Sequence, residues 1–423
     1  MQATIDPGYI SGILTAPPSK SITQRAFAAA LLHTGNTIIH NAGRSVDEMA
    51  ALRVIQQLGS TIIAETQDHI EVISTGIHPV SDHINCGESG LSARLFTPIA
   101  ALSGQSITVN GAGSLLHRLM DGFKEALSLL DVAVSNFNGY LPITVMGPLQ
   151  ANHIKLSAES SSQFLSGLLF AYSYSAKEPV VVEVSELKSK PYIDLTLDVL
   201  AHFGKTIRHD NYRQFHIDPS LFTLTDTVEI NIEADWSSAA YLLVAGAIAG
   251  SVMVKNLNVY SKQADNAILE LLKNAGAEII IEGNSVTAKK SRLSAFEFDA
   301  THCPDLFPVL AILAACCDGE SYITGVHRLF NKESNRAESI SEMLENFAVP
   351  FSLEDDSLCI TGVRRLQGTV IDCYNDHRIA MAAAIGALRA NGRVDIAHAD
   401  AVNKSYPSFF NDLISCGVKC NLL

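Results

Sequence analysis

Asn375-Asp376-His377-Arg378-Ile379-Ala380-Met381-Ala382-Ala383-Ala384-Ile385 places four polar residues at the entrance of a small-residue, apolar run. The run predicts a helix buried along its length. Its polar entrance predicts an anion site, because the first turn of a helix carries free N–H groups and a partial positive charge.

The same phrase occurs twice earlier. Glu233-Ala-Asp235-Trp-Ser-Ser-Ala-Ala240 leads into an apolar run, Gly250 and a strand-like Ser251-Val-Met-Val254. Asp299 to Asp305 leads into an apolar run, Gly319 and Glu320-Ser-Tyr-Ile-Thr324. The third copy closes with Gly392 and Arg393-Val-Asp-Ile396. Its aspartates, Asp235, Asp305 and Asp376, lie 70 and 71 residues apart, so the period is one supersecondary unit. Each unit continues with a second, amphipathic helix (Gln263 to Ala275, Asn335 to Phe347, Ser405 to Cys416) and a further strand. The N-terminal half repeats the scheme. Its buried helices start near Ser19-Lys20-Ser21, Gly87-Glu88-Ser89 and Ser160 to Gln163. Their partner helices start near Val46-Asp47, Leu116-His117-Arg118 and Pro191. The expected fold is α/β: two similar domains, each of three βαβαββ-type repeats with buried helices and small mixed sheets. Residues 14–231 are expected to form one domain, and 1–13 with 232–423 the other.

Composition narrows the partners. A chain of 423 residues with 47% hydrophobic and 17% charged residues can bury a large core. A net charge of −14 argues against nucleic acid and anionic membranes. No signal peptide is evident at Met1-Gln2-Ala3-Thr4-Ile5-Asp6-Pro7, and the longest apolar runs are about half a bilayer span. Eight cysteines without a Cys-x-x-Cys pair read as free thiols of a reducing cytoplasm. Within this acidic chain, Lys20, Arg25, Arg94, Arg118, Lys332, Arg336, Arg378 and Lys404 gather at helix starts. A cation there opposes the helix dipole and calls for an anion. If these helices point one way, they form a basic cleft between the domains. Taken singly, each Ser or Asp at a helix start is an ordinary cap.

Four segments, in order, resemble the 5-enolpyruvylshikimate-3-phosphate synthase family: Pro17-Pro18-Ser19-Lys20-Ser21-Ile22-Thr23-Gln24-Arg25; Ser161-Ser162-Gln163-Phe164-Leu165 with Ser189-Lys190-Pro191-Tyr192; Asn331-Lys332-Glu333-Ser334-Asn335-Arg336; and Asn375 to Met381. The resemblance runs from about residue 10 to the C-terminus. It implies transfer of the enolpyruvyl group of phosphoenolpyruvate to the 5-hydroxyl of shikimate 3-phosphate, with no metal and no organic cofactor. The implied partners are these two small molecules, and a cytoplasmic monomer is expected. By the same resemblance, Ser161, Ser162 and Ser189 hold the shikimate phosphate with Lys332. Ser21 and Arg25 hold its carboxylate, and Gln163 and Tyr192 line that pocket. Arg336 and Arg378 clamp the carboxylate of phosphoenolpyruvate. Lys20, Arg118 and Lys404 face its phosphate near Gly90. Asp305 is the preferred base, Glu333 the preferred acid, and Lys20 a competing acid. Lys262 and Asp265 read as structural.

The chain departs from the family's usual Asn-Ala-Gly-Thr loop at Glu88-Ser89-Gly90-Leu91. A carboxylate at Glu88 should weaken anion binding unless Arg94 or Lys20 pairs with it, and altered affinity for phosphoenolpyruvate analogues such as glyphosate is expected. The rival reading, a UDP-N-acetylglucosamine enolpyruvyl transferase, calls for a cysteine ahead of the arginine at 118. Gly111 to Arg118 contains none. A non-catalytic anion binder has no need of Asp305 and Glu333 among the cations. A nucleotide-binding dehydrogenase lacks its Gly-x-Gly-x-x-Gly.

Overall fold

The computed structural model describes residues 1–120, 122–135, 137–157 and 162–423. The chain divides into two compact units, Met1–Pro17 with Ala234–Leu423, and Pro18–Glu233. Among the described residues there are six four-stranded sheets, three in each unit, all with one topology. A first strand runs parallel to a second, the second is antiparallel to a third, and the third is antiparallel to a fourth. Glu297–Asp299, Glu320–Thr324, Ser357–Thr361 and Phe351–Glu354 illustrate it.

Strand pairing explains why one unit is discontinuous in sequence. Ala3–Ile5 lies antiparallel between Val394–Ala397 and Cys420–Leu422. Ile10–Thr15 lies parallel to Gly250–Lys255. The N-terminus thus completes the last repeat and opens the first repeat of its own unit. In the other unit, Thr227–Asn231 closes back parallel to Gly35–His40.

The phrase that opens each repeat forms a helix wrapped in core. Trp236–Ala249, Phe307–Ala315 and His377–Ala387 are buried along nearly their whole length and pack on one another. In the other unit the same place is taken by Lys20–Leu32, Gly90–Ala100 and Ser162–Ser175. Small residues bring these helices close. A Cβ on Gly167 would sit 2.6 Å from the carbonyl oxygen of Leu95 on the neighbouring helix. Each fully buried Leu or Ile contributes about 1.5–3 kcal/mol, so the stability resides in these inner helices and the strands they cover.

Three partner helices begin later than expected. Gln263 to Ala275 opens as the 3-10 turn Ala264–Ala267, and its helix is Ile268–Asn274. Leu116-His117-Arg118 closes a 3-10 turn, Gly113–His117, and the helix is Phe123–Ser128 after left-handed Gly122. Ser405 to Cys416 is interrupted by Pro407, which disfavours helix at the residue before it; a 3-10 turn, Ala399–Lys404, precedes the helix Phe409–Ser415. All eight cysteines are free, six of them buried. Among the described residues no helix is long and apolar enough to cross a membrane.

Candidate active site

Three aspartates at equivalent helix starts have two different fates. Asp235 caps its helix, accepting from the N–H of Ser238 at 2.7 Å, and Asp376 accepts from that of Arg378 at 2.9 Å. Asp305 caps nothing. It lies in the 3-10 turn Pro304–Leu306, and three cations hold its carboxylate: Arg336 Nη1 at 2.8 Å, Arg378 Nη2 at 3.0 Å and Lys332 Nζ at 3.5 Å.

Arg336 is the hub of this cluster. It is the first residue of the helix Arg336–Asn346 and is completely buried. Besides Asp305 it donates from Nε to Asp376 Oδ2 at 2.8 Å and from Nη2 to Glu333 Oε2 at 2.6 Å. Glu333 and Asp305 keep some exposure, 15% and 23% of their side chains, so the acids face the accessible side of a buried guanidinium. Lys404 donates to the carbonyl of Asn375 at 2.7 Å. Arg378 uses Nη2 on Asp305, while its buried Nε and Nη1 meet no acceptor among the described residues.

The charges shape one another. Burial pushes Asp305 toward the neutral acid, but the attraction of Arg378, Lys332 and Arg336 wins and holds it well below the usual carboxylate range. Each close cation supplies about 4 kcal/mol at an effective dielectric near ~20, which exceeds the desolvation of a partly exposed group. Burial alone would lower Arg336 and Arg378, but their carboxylates keep both above the ordinary arginine value. Lys332 goes the other way. Burial dominates, Asp305 opposes it, Arg336 and Arg328 reinforce it, and the ammonium is lowered to about 8.

Asp265 belongs to the electrostatics of this cluster, although its sequence reads as structural. It is buried, accepts from the hydroxyl of Ser237 and is raised to about 7, first by burial and then by Asp305. The legible signal was positional: Asp265 opens the second helical segment of its repeat, as Glu333 nearly does in the next.

The Pro18–Glu233 unit carries its own polar group. Lys20 opens its helix with Nζ 3.0 Å from Asp47 Oδ2. Arg25 is fully buried and works as a tie between helices, with Nε on the Thr196 hydroxyl (2.9 Å), Nη1 on the Ser21 carbonyl (2.9 Å) and Nη2 on the Tyr192 carbonyl (3.1 Å). Burial, opposed weakly by Tyr192, lowers it to about 10, so it stays charged at neutral pH. Ser189 is buried ahead of the helix Lys190–His202 with φ 54°, a left-handed conformation costly for a non-glycine residue. Ser162 is the buried first residue of its helix, and Ser161 lies outside the described residues. Gln163 is 3.5 Å from Arg94 Nη1. Arg94, buried, also donates to the carbonyls of Gly90 and Leu119. Gly90 stands against the Arg118 guanidinium: a Cβ there would fall 2.7 Å from Arg118 Nη1. Glu88 accepts from the N–H and hydroxyl of Ser114, at 3.0 and 3.2 Å.

Four of the cations at these helix starts have acidic partners within the chain: Asp47 serves Lys20, and Asp305, Glu333 and Asp376 serve Lys332, Arg336 and Arg378.

This fold, with inner helices in small repeated sheets and cations at their starts, is that of the enolpyruvyl transferases. The structure of EPSP synthase from Acinetobacter baumannii matches over 100% of both chains with a TM-score of 0.82 at 24% identity. The enolpyruvyl transferase NikO from Streptomyces tendae matches with a TM-score of 0.77 at 15% identity, over 99% of this chain and 98% of that one. The profile of the family described as EPSP synthase (3-phosphoshikimate 1-carboxyvinyltransferase) matches residues 5–413. The 3-phosphoshikimate 1-carboxyvinyltransferase of Clostridium novyi is 33% identical over 98% of this chain and 97% of its own; that of Methanocorpusculum labreanum is 32% identical over 99% of each. The chain belongs to the EPSP synthase family.

Proposed function

We propose that this chain transfers the enolpyruvyl group of phosphoenolpyruvate to the 5-hydroxyl of shikimate 3-phosphate, releasing phosphate through a tetrahedral intermediate. Family membership supports the reaction. The observation that carries the site is Arg378, whose Nη2 is on Asp305 while its buried Nε and Nη1 meet no acceptor among the described residues. A buried charged donor without a partner is costly, and a substrate carboxylate satisfies it bidentately.

Roles follow unit by unit. In the Pro18–Glu233 unit, Ser161, Ser162 and Ser189 take the shikimate phosphate, Ser21 and Arg25 its carboxylate, and Gln163 and Tyr192 line that pocket. Lys20 and Arg118, near Gly90, take the phosphate of phosphoenolpyruvate. In the other unit, Arg336 and Arg378 take its carboxylate, Lys404 its phosphate, and Lys332 assists at the shikimate phosphate. The shikimate 5-oxygen attacks C2 of phosphoenolpyruvate as C3 gains a proton from Glu333 or Lys20, and Asp305 accepts the hydroxyl proton. The adduct then loses a C3 proton and phosphate, restoring the double bond. The ion pairs give binding a chemical consequence. Substrate anions that draw Arg378, Arg336 and Lys332 away from Asp305 return basicity to it, and drawing Arg336 releases Glu333 from its pair. The enzyme is read as a cytoplasmic monomer needing no metal or organic cofactor, and its eight free cysteines fit a reducing compartment.

The test is a phosphate-release assay with both substrates, repeated on Glu333→Gln and Asp305→Asn. Expected are turnover in the parent and a loss of about 10²–10⁴-fold in each variant with modest change in shikimate 3-phosphate affinity. Release with UDP-N-acetylglucosamine in place of shikimate 3-phosphate overturns the substrate. Near-normal turnover of both variants overturns the proton-transfer roles.

A further inference from the structure

Glu88 stands where the family's usual loop has asparagine. Its carboxylate accepts two bonds from Ser114, the N–H at 3.0 Å and the hydroxyl at 3.2 Å. Ser114 is the second residue of the 3-10 turn Gly113–His117, and Arg118 is the extended residue that ends that turn.

The segment carrying Arg118 is pinned to the start of the helix Gly90–Ala100 at three points. The N–H of Ala112 donates to the carbonyl of Gly87 at 2.7 Å. Ser114 donates twice to Glu88. Arg94 Nη2 donates to the carbonyl of Leu119 at 2.9 Å. Between these pins the Arg118 guanidinium lies against the bare Cα of Gly90. Gly113 makes room for the middle pin: its φ is +52°, and a Cβ there would lie 2.4 Å from Glu88 Oε2. The middle pin is also the one with a charged acceptor, and charge-assisted bonds are stronger than neutral ones.

We propose that Glu88 is a positioning residue that holds the Gly113–Arg118 turn so that Arg118 meets the phosphate of phosphoenolpyruvate. The proposal rests on the assignment of Arg118 made above.

Glu88→Ala removes the pin and the charge, while Glu88→Gln removes the charge but keeps an oxygen that accepts from Ser114. Expected for Glu88→Ala is a rise of about tenfold in KM for phosphoenolpyruvate, with KM for shikimate 3-phosphate changed less than about twofold. Glu88→Gln should restore KM for phosphoenolpyruvate to within about twofold of the parent or below it. Ser114→Ala, which keeps its N–H, should fall between. In an Arg118→Ala background, Glu88→Ala should add less than about twofold. Equal effects on both KM values, failure of Glu88→Gln to rescue, or full additivity with Arg118→Ala overturns the proposal. A crystal structure of Glu88→Ala decides it independently of turnover. A displaced Arg118 supports the proposal, and an unmoved one overturns it. A parent enzyme that releases no phosphate with the two substrates counts against the proposed function alone.

Discussion

Arg336 donates to both carboxylate oxygens of Asp376, Nε to Oδ2 at 2.8 Å and Nη2 to Oδ1 at 3.2 Å, with both side chains completely buried. The bond joins the second repeat of its unit to the third. The same Asp376 caps the helix His377–Ala387. Removing one member of a buried ion pair strands the other, at a cost of about 3–5 kcal/mol. Arg336 keeps Asp305 and Glu333 as partners, so Asp376→Ala, which loses a charge-assisted bond and a helix cap, is expected to cost about 2–4 kcal/mol in urea unfolding. A loss under about 1 kcal/mol contradicts the arrangement.

Lys332 ties binding to pH. Burial, opposed by Asp305 and reinforced by Arg336 and Arg328, lowers its ammonium to about 8. The charge is present below that pH and lost above it, so attraction for a substrate phosphate falls as pH rises through about 8. KM for shikimate 3-phosphate is expected to climb on the alkaline side. Lys332→Arg, charged throughout, should flatten the climb. A parent profile flat from pH 7 to about 9.5 rejects the role.

Gly90 guards the place of Arg118. Alanine fits the first position of a helix, so Gly90→Ala should leave the fold intact. Its Cβ would meet three guanidinium atoms at 2.7 to 2.8 Å, and the flexible arginine is what yields. KM for phosphoenolpyruvate should rise about ten- to a hundredfold, the range a misplaced binding group produces. An unchanged KM with unchanged unfolding midpoint excludes this geometry.

His33 gives the fold an acid sensitivity away from the site. Burial is the main cause of its lowered pKa, opposed by a hydrogen bond with the Asp226 backbone and aided by Lys205. The unfolded chain then binds a proton that the folded chain resists. Stability is intact above the unfolded value of about 6.5 and falls as pH drops toward the folded value. Urea unfolding between pH 7 and about 5 should show this slope, and His33→Gln should reduce it. Identical slopes in parent and variant discount His33.

Much of the fold is legible in the sequence. The repeat showed in the polar-entry phrases because a buried helix must be apolar on every face, and few other elements are. Boundaries failed where a local breaker acted within an amphipathic run, at Gly122 and Pro407. Caps and catalytic candidates looked alike, since Asp235, Asp305 and Asp376 occupy the same place in three copies of one phrase. Only their neighbours in space distinguish them: a backbone N–H at Asp235, a backbone N–H and the Arg336 guanidinium at Asp376, and three cations at Asp305. Asp265, which reads as structural, is buried and raised first by burial and then by Asp305, an influence between elements distant in sequence.

By itself, the sequence determined the class of fold, the helix starts that carry cations, and the family, because periodicity and ordered motifs are local properties of the chain. Tertiary structure decided which charges meet. Arg336 reaches acids 31 residues before it and 40 after it. Whether a carboxylate is a cap, a counter-ion or a pin depends on such distances, which strand pairing across the chain sets and no local pattern encodes.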